Sequence, residues 1–364
     1  MKKTALYPLL IALLLAAPTL SHATYVFKNG KLIKSDEVAT LSVQEHYSAA
    51  MDAYQSQKWD ELIHQSLIVI KNFESTAFAL DGYYYLGVGY FHTEELEYAN
   101  RFFTKYLKNQ VAPKFFEEAI EYKFKIAEKY QRGARKHLFG TEAMPKWLPA
   151  REEAIAIYDE VITALPHHDL AAYSLFGKAQ LLLKEEEYKS SIETYQTLIR
   201  RFPKHPLAAE AYVGVGQVYL VQSQQSYPDQ DFLDLAHINL RKFKQDFPGE
   251  EKLQVAEDLL LKMKEVYASD LYDTARFYER TKKPQAAYIY YTRIMAKYPE
   301  TGVSDLAKKR LDRLHYTPIQ HEVKPAVQSP VETESQQTPS PLLDLQPQGY
   351  SVQSEETSSH EDVK

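Results

Sequence analysis

The feature that most constrains this chain is a spacing. A small residue, an aromatic or leucine four positions on and a proline eight beyond that recur as Ala154/Tyr158/Pro166, Ser191/Tyr195/Pro203, Ala236/Leu240/Pro248 and Ala287/Tyr291/Pro299. A companion step, a small residue followed three positions later by tyrosine, occurs as Gly87/Tyr90, Ala127/Tyr130, Gly216/Tyr219 and Ala275/Tyr278, while Gly177 is followed by Gln180. Two helices can approach closely where small residues meet. The ring one turn on fills the space beside them, and a proline stops the second helix because it cannot continue the hydrogen-bond ladder.

The pattern resembles the tetratricopeptide repeat, a helix-turn-helix unit of about 34 residues. It predicts an all-α superhelical solenoid of about six units over residues 43–315. Repeat one runs from Val43 to Ser75, repeat two from Asp81 to Gln110, and repeat three starts near Phe116. Repeat four covers Leu170 to Pro203 and repeat five Ala209 to Pro248. A helix from Glu251 to Tyr267 leads into a sixth unit from Asp270 to Pro299, and Asp305 to Leu314 reads as a capping helix, which a solenoid needs over its last apolar face.

Repeat three breaks the spacing. Ala127 and Ala154 stand 27 apart where the pattern asks for 12, so fifteen residues are inserted within Gln131–Ala150. The insert mixes cations with large rings, and Arg132, Arg135, Lys136, Phe139, Lys146 and Trp147 are its candidates for a docking loop toward a partner or anionic head groups. The alternative is a solvated loop whose Phe139 and Trp147 tuck onto the solenoid.

The flanks differ in character. Residues 1–23 place Lys2 and Lys3 before an apolar run and end in Ser21-His22-Ala23, the pattern of a secretory signal peptide cleaved after Ala23. Residues 24–42 read as an extended lead-in. Residues 316–364 form a tail predicted to be disordered, with six prolines, eight acidic residues and two lysines from Thr317 onward; its net charge of −6 equals that of the whole chain. The helical body is therefore near neutral, which argues against nucleic acid as a partner. With no cysteine there is no disulfide, thiolate metal site or covalent lipid on cysteine.

No phosphate-binding glycine loop, metal-ligand motif or nucleophile elbow is present. His167 and His168 are adjacent, and Glu185-Glu186-Glu187 reads as a solvated turn. The expectation is a non-enzymatic protein with no catalytic residues, no metal and no cofactor.

From Tyr173 onward the likeness narrows. Pro228-Asp229-Gln230, Leu235-Ala236, Phe243, Phe247-Pro248, Ala268, Tyr272, Ala275, Phe277-Tyr278, Ala286-Ala287 and Tyr298-Pro299 are similar to the C-terminal repeats of the BamD (YfiO) family. That resemblance implies a periplasmic scaffold in outer-membrane β-barrel assembly, exported and peripherally associated with the outer membrane. Its implied partners are an assembly component and unfolded barrel substrates. The alternative is a periplasmic repeat protein coordinating cell-wall synthesis with envelope constriction, similar to the CpoB family. Family members usually carry a lipidated cysteine, absent here. In tetratricopeptide repeats the first helices line a groove, and the inward positions map to Tyr47, Met51 and Tyr54 in repeat one and Tyr84, Val88 and Phe91 in repeat two. Repeats four and five supply Ser174, Lys178, Val213 and Gln217. The aromatic N-terminal set is the candidate peptide groove.

Overall fold

The computed structural model describes residues 25–28, 31–109, 111–141, 143–225 and 229–314; the expected signal peptide and tail lie outside them. Among the described residues, six helix pairs and a closing helix follow a short N-terminal hairpin. The hairpin is β1 (Tyr25–Lys28) and β2 (Lys31–Lys34). The pairs are α1 (Val43–Gln55) with α2 (Trp59–Asn72), α3 (Ala77–His92) with α4 (Leu96–Lys108), and α5 (Phe116–Gln131) with α6 (Arg151–Ala164). Next come α7 (Asp169–Lys184) with α8 (Tyr188–Arg201), α9 (Pro206–Ser223) with α10 (Asp231–Asp246), and α11 (Lys252–Arg280) with α12 (Pro284–Lys297). The last helix is α13 (Gly302–Leu311). This is the all-α tetratricopeptide-repeat solenoid.

The repeat spacing is the core. Ala154, Ser191, Ala236 and Ala287 are 0, 0, 5 and 0 % exposed, and Tyr158, Tyr195, Leu240 and Tyr291 are 1, 1, 9 and 0 % exposed. Each of Pro166, Pro203, Pro248 and Pro299 falls two residues after the end of α6, α8, α10 and α12 respectively. After three of these prolines, Pro166, Pro203 and Pro299, the chain turns and caps the next helix with a side chain. His168 Nδ1 accepts from Leu170 N–H, His205 Nδ1 from Leu207 N–H, and Thr301 Oγ1 from Ser304 N–H. The adjacent histidines of the sequence thus include one helix cap, and among the described residues no cluster of three or more metal-ligating side chains occurs.

One element differs from the sequence reading. The helix expected to end at Tyr267 and the one expected from Asp270 are a single 29-residue helix, α11. Ala268-Ser269 contains neither glycine nor proline, and the buried stripe Ala256, Leu260, Met263, Tyr267, Ala268 and Ala275 passes straight through the junction.

Repeat three is held by a buried cation. Lys123, on α5, is 0 % exposed. Its Nζ donates to Asn100 Oδ1 at 2.6 Å and Thr104 Oγ1 at 2.7 Å on α4, and lies 2.6 Å from Glu160 Oε2 on α6. Burial lowers its pKa, while the Glu160 hydrogen bond and charge oppose that shift. All three ammonium protons have an acceptor, so the charge ties three helices together.

Rings seat where side chains are missing. A Cβ on Gly177 would stand 2.8 Å from the Tyr158 ring, and one on Gly214 would stand 2.5 Å from the ring of Tyr195. Gly216, on the same helix as Gly214, would meet only Leu259, at 3.5 Å. Gly-to-Ala ordinarily stabilises a helix interior by roughly 1 kcal/mol, and Gly216→Ala is expected to do so. Gly214→Ala must instead displace a fully buried ring and is expected to cost about 1–3 kcal/mol. Urea unfolding of the two variants checks the opposite signs; a stabilised Gly214→Ala contradicts this account of the packing.

Candidate functional site

The N-terminal candidates divide sharply by burial. Tyr84, Val88 and Phe91 are 4, 0 and 8 % exposed and belong to the core rather than to an open groove. Tyr84 stacks on Phe115 with ring centroids 4.4 Å apart and lies edge-on to Phe103 at 6.0 Å and Tyr122 at 6.4 Å. The physical reason is that α3 is apolar around most of its circumference, with Asp81 its only carboxylate, so its neighbours cover it on more than one side. Tyr47 is half-buried against Phe78, at 4.8 Å, and Met51 is half-buried as well. Tyr54 reaches solvent at 36 % exposure. It borders a hollow of about 450 Å³ with Gln55, Gln57, Trp59, His92 and Tyr122, in which Trp59 and His92 stack at 4.0 Å.

A longer groove lies on the first helices of repeats three to five. One hollow of about 420 Å³ has walls from Phe124, Gln131, Tyr173, Phe176 and Gln180, and a second of about 320 Å³ continues it with Val213 and Gln217. Phe176 and Gln180 border both. Three glutamines thus stand along three successive first helices, α5, α7 and α9. Tyr158 Oη donates to Gln131 Oε1 at 2.5 Å, and Gln131 Nε2 donates to Gln180 Oε1 at 2.9 Å, a chain of bonds that links α6, α5 and α7. Tyr173 is 48 % exposed and gives the groove an aromatic wall. Two of the groove's cations are paired, Lys252 with Glu210 at 3.1 Å and Arg132 with Glu128 at 3.1 Å. An extended chain with aromatic side chains suits such a surface, since amides can serve its backbone and rings its side chains. Of the mapped inward positions, Val213 and Gln217 lie here, Ser174 is buried, and Lys178 is paired with Asp159 at 2.6 Å.

The insert of repeat three is an antiparallel hairpin of β3 (Arg135–His137) and β4 (Lys146–Pro149). Phe139 and Trp147 do not tuck in; they are 80 and 65 % exposed. Phe139 also has a φ of +56°, a left-handed conformation that costs a non-glycine residue roughly 1–2 kcal/mol. The cations are mostly engaged with the solenoid: Lys136 with Glu153, and Lys146 with Glu95 at 2.9 Å and the Glu94 carbonyl at 2.7 Å. Arg132, just past the end of α5, answers Glu128 on that helix. Arg135 is exposed on β3. The insert is therefore an apolar prong on a neutralised base, not a basic loop.

His137 fastens that prong. It is 6 % exposed, with Nδ1 2.5 Å from the Met144 carbonyl and Nε2 2.7 Å from Glu95 Oε2. Both partners are acceptors, so the geometry favours an imidazolium that donates from both nitrogens. The Met144 carbonyl raises its pKa first and Glu95 adds to this, while burial and Lys146 oppose. Burial works against the Glu95 carboxylate, but hydrogen bonds from His137 and Lys146 hold its pKa below the usual value.

The signs give a window. A raised histidine pKa contributes stability that is complete below the ordinary value near 6.5 and is lost as pH rises through the folded value. The lowered Glu95 contributes above the ordinary carboxylate value near 4.5 and is lost in acid. An NMR titration of the His137 ring is expected to give a midpoint above 6.5, with hydrogen exchange across residues 135–149 quickening beyond it. A midpoint at or below the ordinary value contradicts the clamp.

Comparison with known proteins places the C-terminal repeats. Residues 152–319, from the start of α6 to beyond α13, match the model of the family described as YfiO, outer membrane lipoprotein. No curated protein matches the chain. Among solved structures, YrrB, a TPR protein with an unusual peptide-binding site, is 13 % identical, covering 60 % of this chain and 92 % of its own at a TM-score of 0.35. A TPR protein from Parabacteroides merdae is 10 % identical, covering 75 and 98 % at a TM-score of 0.33. A thermophilic TPR protein of Thermus thermophilus is 13 % identical, covering 60 and 100 % at 0.29. The helix pairs from Val43 onward and the buried repeat spacing make this chain a tetratricopeptide-repeat protein, and over residues 152–319 it is similar to the YfiO (BamD) family.

Proposed function

We propose that the protein is a non-enzymatic periplasmic scaffold that binds assembly partners and unfolded outer-membrane proteins during β-barrel assembly. The single observation that carries this reading is the YfiO match across α6 to α13. Export directed by residues 1–23 and peripheral association with the outer membrane complete it.

The surfaces divide the work. The groove of Phe124, Tyr173, Phe176, Gln180, Val213 and Gln217 is the seat for an extended substrate segment. Its amides can serve any backbone, which suits a scaffold that handles many sequences. Phe139 and Trp147 of the prong are exposed and do not line that groove, and they offer a separate contact for a protein partner. A large ring held outward in a strained conformation is the kind of outlier that accompanies function.

Binding of an extended, aromatic-rich barrel segment, measured by fluorescence anisotropy, tests the assignment. Tyr173 and Gln217 are exposed, so Tyr173→Ala with Gln217→Ala is expected to leave the melting curve unchanged. Affinity is expected to fall by about 1–3 kcal/mol, one contact being a ring and the other a hydrogen bond. Undiminished affinity in the double variant rejects the groove. Co-purification with cell-wall synthesis enzymes, and with no barrel-assembly component, supports the envelope-constriction alternative instead.

A further inference from the structure

The hairpin of β1 and β2 has two unlike faces. Its register pairs Tyr25 with Lys34, Val26 with Ile33 and Phe27 with Leu32, and cross-strand partners share a face. Ile33, on one face, is 4 % exposed. On the other face Tyr25, Phe27 and Leu32 are 55, 72 and 71 % exposed. A two-stranded hairpin is marginal alone, and the chain straps this one down. Glu37 pairs with Lys71, Asn72 Nδ2 donates to the Glu37 carbonyl at 2.8 Å, and Asn72 Oδ1 accepts from Ala39 N–H at 3.2 Å. The outward apolar face is thus presented from a fixed base at the end of α2.

Its charge is one-signed. Tyr25 to Lys34 contains three lysines and no carboxylate. Among the described residues no carboxylate pairs with Lys34. The prong of repeat three is the internal contrast, because Glu94, Glu95 and Glu153 answer its lysines. Two aromatic rings and a leucine on a segment whose only charges are lysines match the chemistry of a bilayer interface, where rings sit at head-group level and cations meet anionic phosphates. The chain has no cysteine to carry a lipid.

We infer that this hairpin docks the protein on an anionic phospholipid surface, with Tyr25, Phe27 and Leu32 entering the interface. The inference deepens the peripheral-association part of the proposed function, and pure lipid vesicles, with no protein partner present, test it separately from the barrel-assembly assignment.

The chain from Thr24 to Lys364, which keeps every described residue, is sedimented with vesicles of phosphatidylethanolamine and phosphatidylglycerol, and with phosphatidylcholine vesicles. Binding is expected on the anionic vesicles and is expected to weaken with added salt. Phe27→Ser with Leu32→Ser is expected to weaken it about tenfold, the loss of two apolar side chains from the interface. Lys34→Glu is expected to weaken it too, with circular dichroism unchanged in all variants. Phe27→Trp supplies a reporter whose emission brominated lipid quenches on insertion. Absence of binding to the anionic vesicles, equal binding by the double serine variant, or an unquenched reporter overturns the proposal. Sedimentation only with vesicles that contain envelope proteins also overturns it, and assigns the face to a protein.

Discussion

Two successive junctions in the solenoid depend on a ring occupying space that a side chain would otherwise take. Tyr158 lies against Gly177 and Tyr195 against Gly214, each joining the second helix of one pair to the first helix of the next. Within repeat two, a Cβ on Gly87 would stand 2.7 Å from the Phe103 ring. Dispersion contacts of this kind are individually weak and lost altogether when the fit opens by a fraction of an ångström. Their repetition gives a body in which each unit is stabilised by its neighbours. The same geometry brings successive first helices side by side, and that is what aligns Gln131, Gln180 and Gln217 into one groove.

The solenoid carries its polar chemistry in two ways. Inside, Lys123 is fully satisfied by Asn100, Thr104 and Glu160, so a buried charge serves as a brace for the repeat that carries the insertion. Outside, the turn of repeat two and the first turn of α6 meet the insert's lysines and leave its rings exposed. Recognition at this prong therefore rests on shape and apolar area more than on long-range attraction. At the N-terminal hairpin the balance is reversed, with lysines present and carboxylates absent.

Much of this was legible in the sequence, and for identifiable reasons. Small-residue, ring and proline positions are fixed by backbone sterics, so their spacing predicts helix ends and buried rings directly. The groove was less legible. Assigning Tyr84, Val88 and Phe91 to an open face follows from repeat register alone, whereas the scarcity of charged residues around α3, with Asp81 its only carboxylate, is the signal that neighbours cover it. Similarly, the insert's composition reads as basic because its partners, Glu94, Glu95 and Glu153, lie outside it in the sequence. His137 belongs with them: its role comes from Glu95, 42 residues away, which no local pattern reveals. The continuity of α11 needed only the observation that nothing between Tyr267 and Asp270 interrupts a helix.

In the proposed function, the first-helix faces of repeats three to five, rather than the aromatic N-terminal repeats, receive an extended polypeptide. Hydrogen exchange resolved by peptide, with and without an unfolded outer-membrane barrel protein, measures this directly. The account predicts slowed exchange in Phe124–Arg132, Tyr173–Lys184 and Val213–Gln217, with little change in the hollow bounded by Tyr54, Trp59 and His92. Protection confined to that N-terminal hollow, or none along α5, α7 and α9, would contradict it.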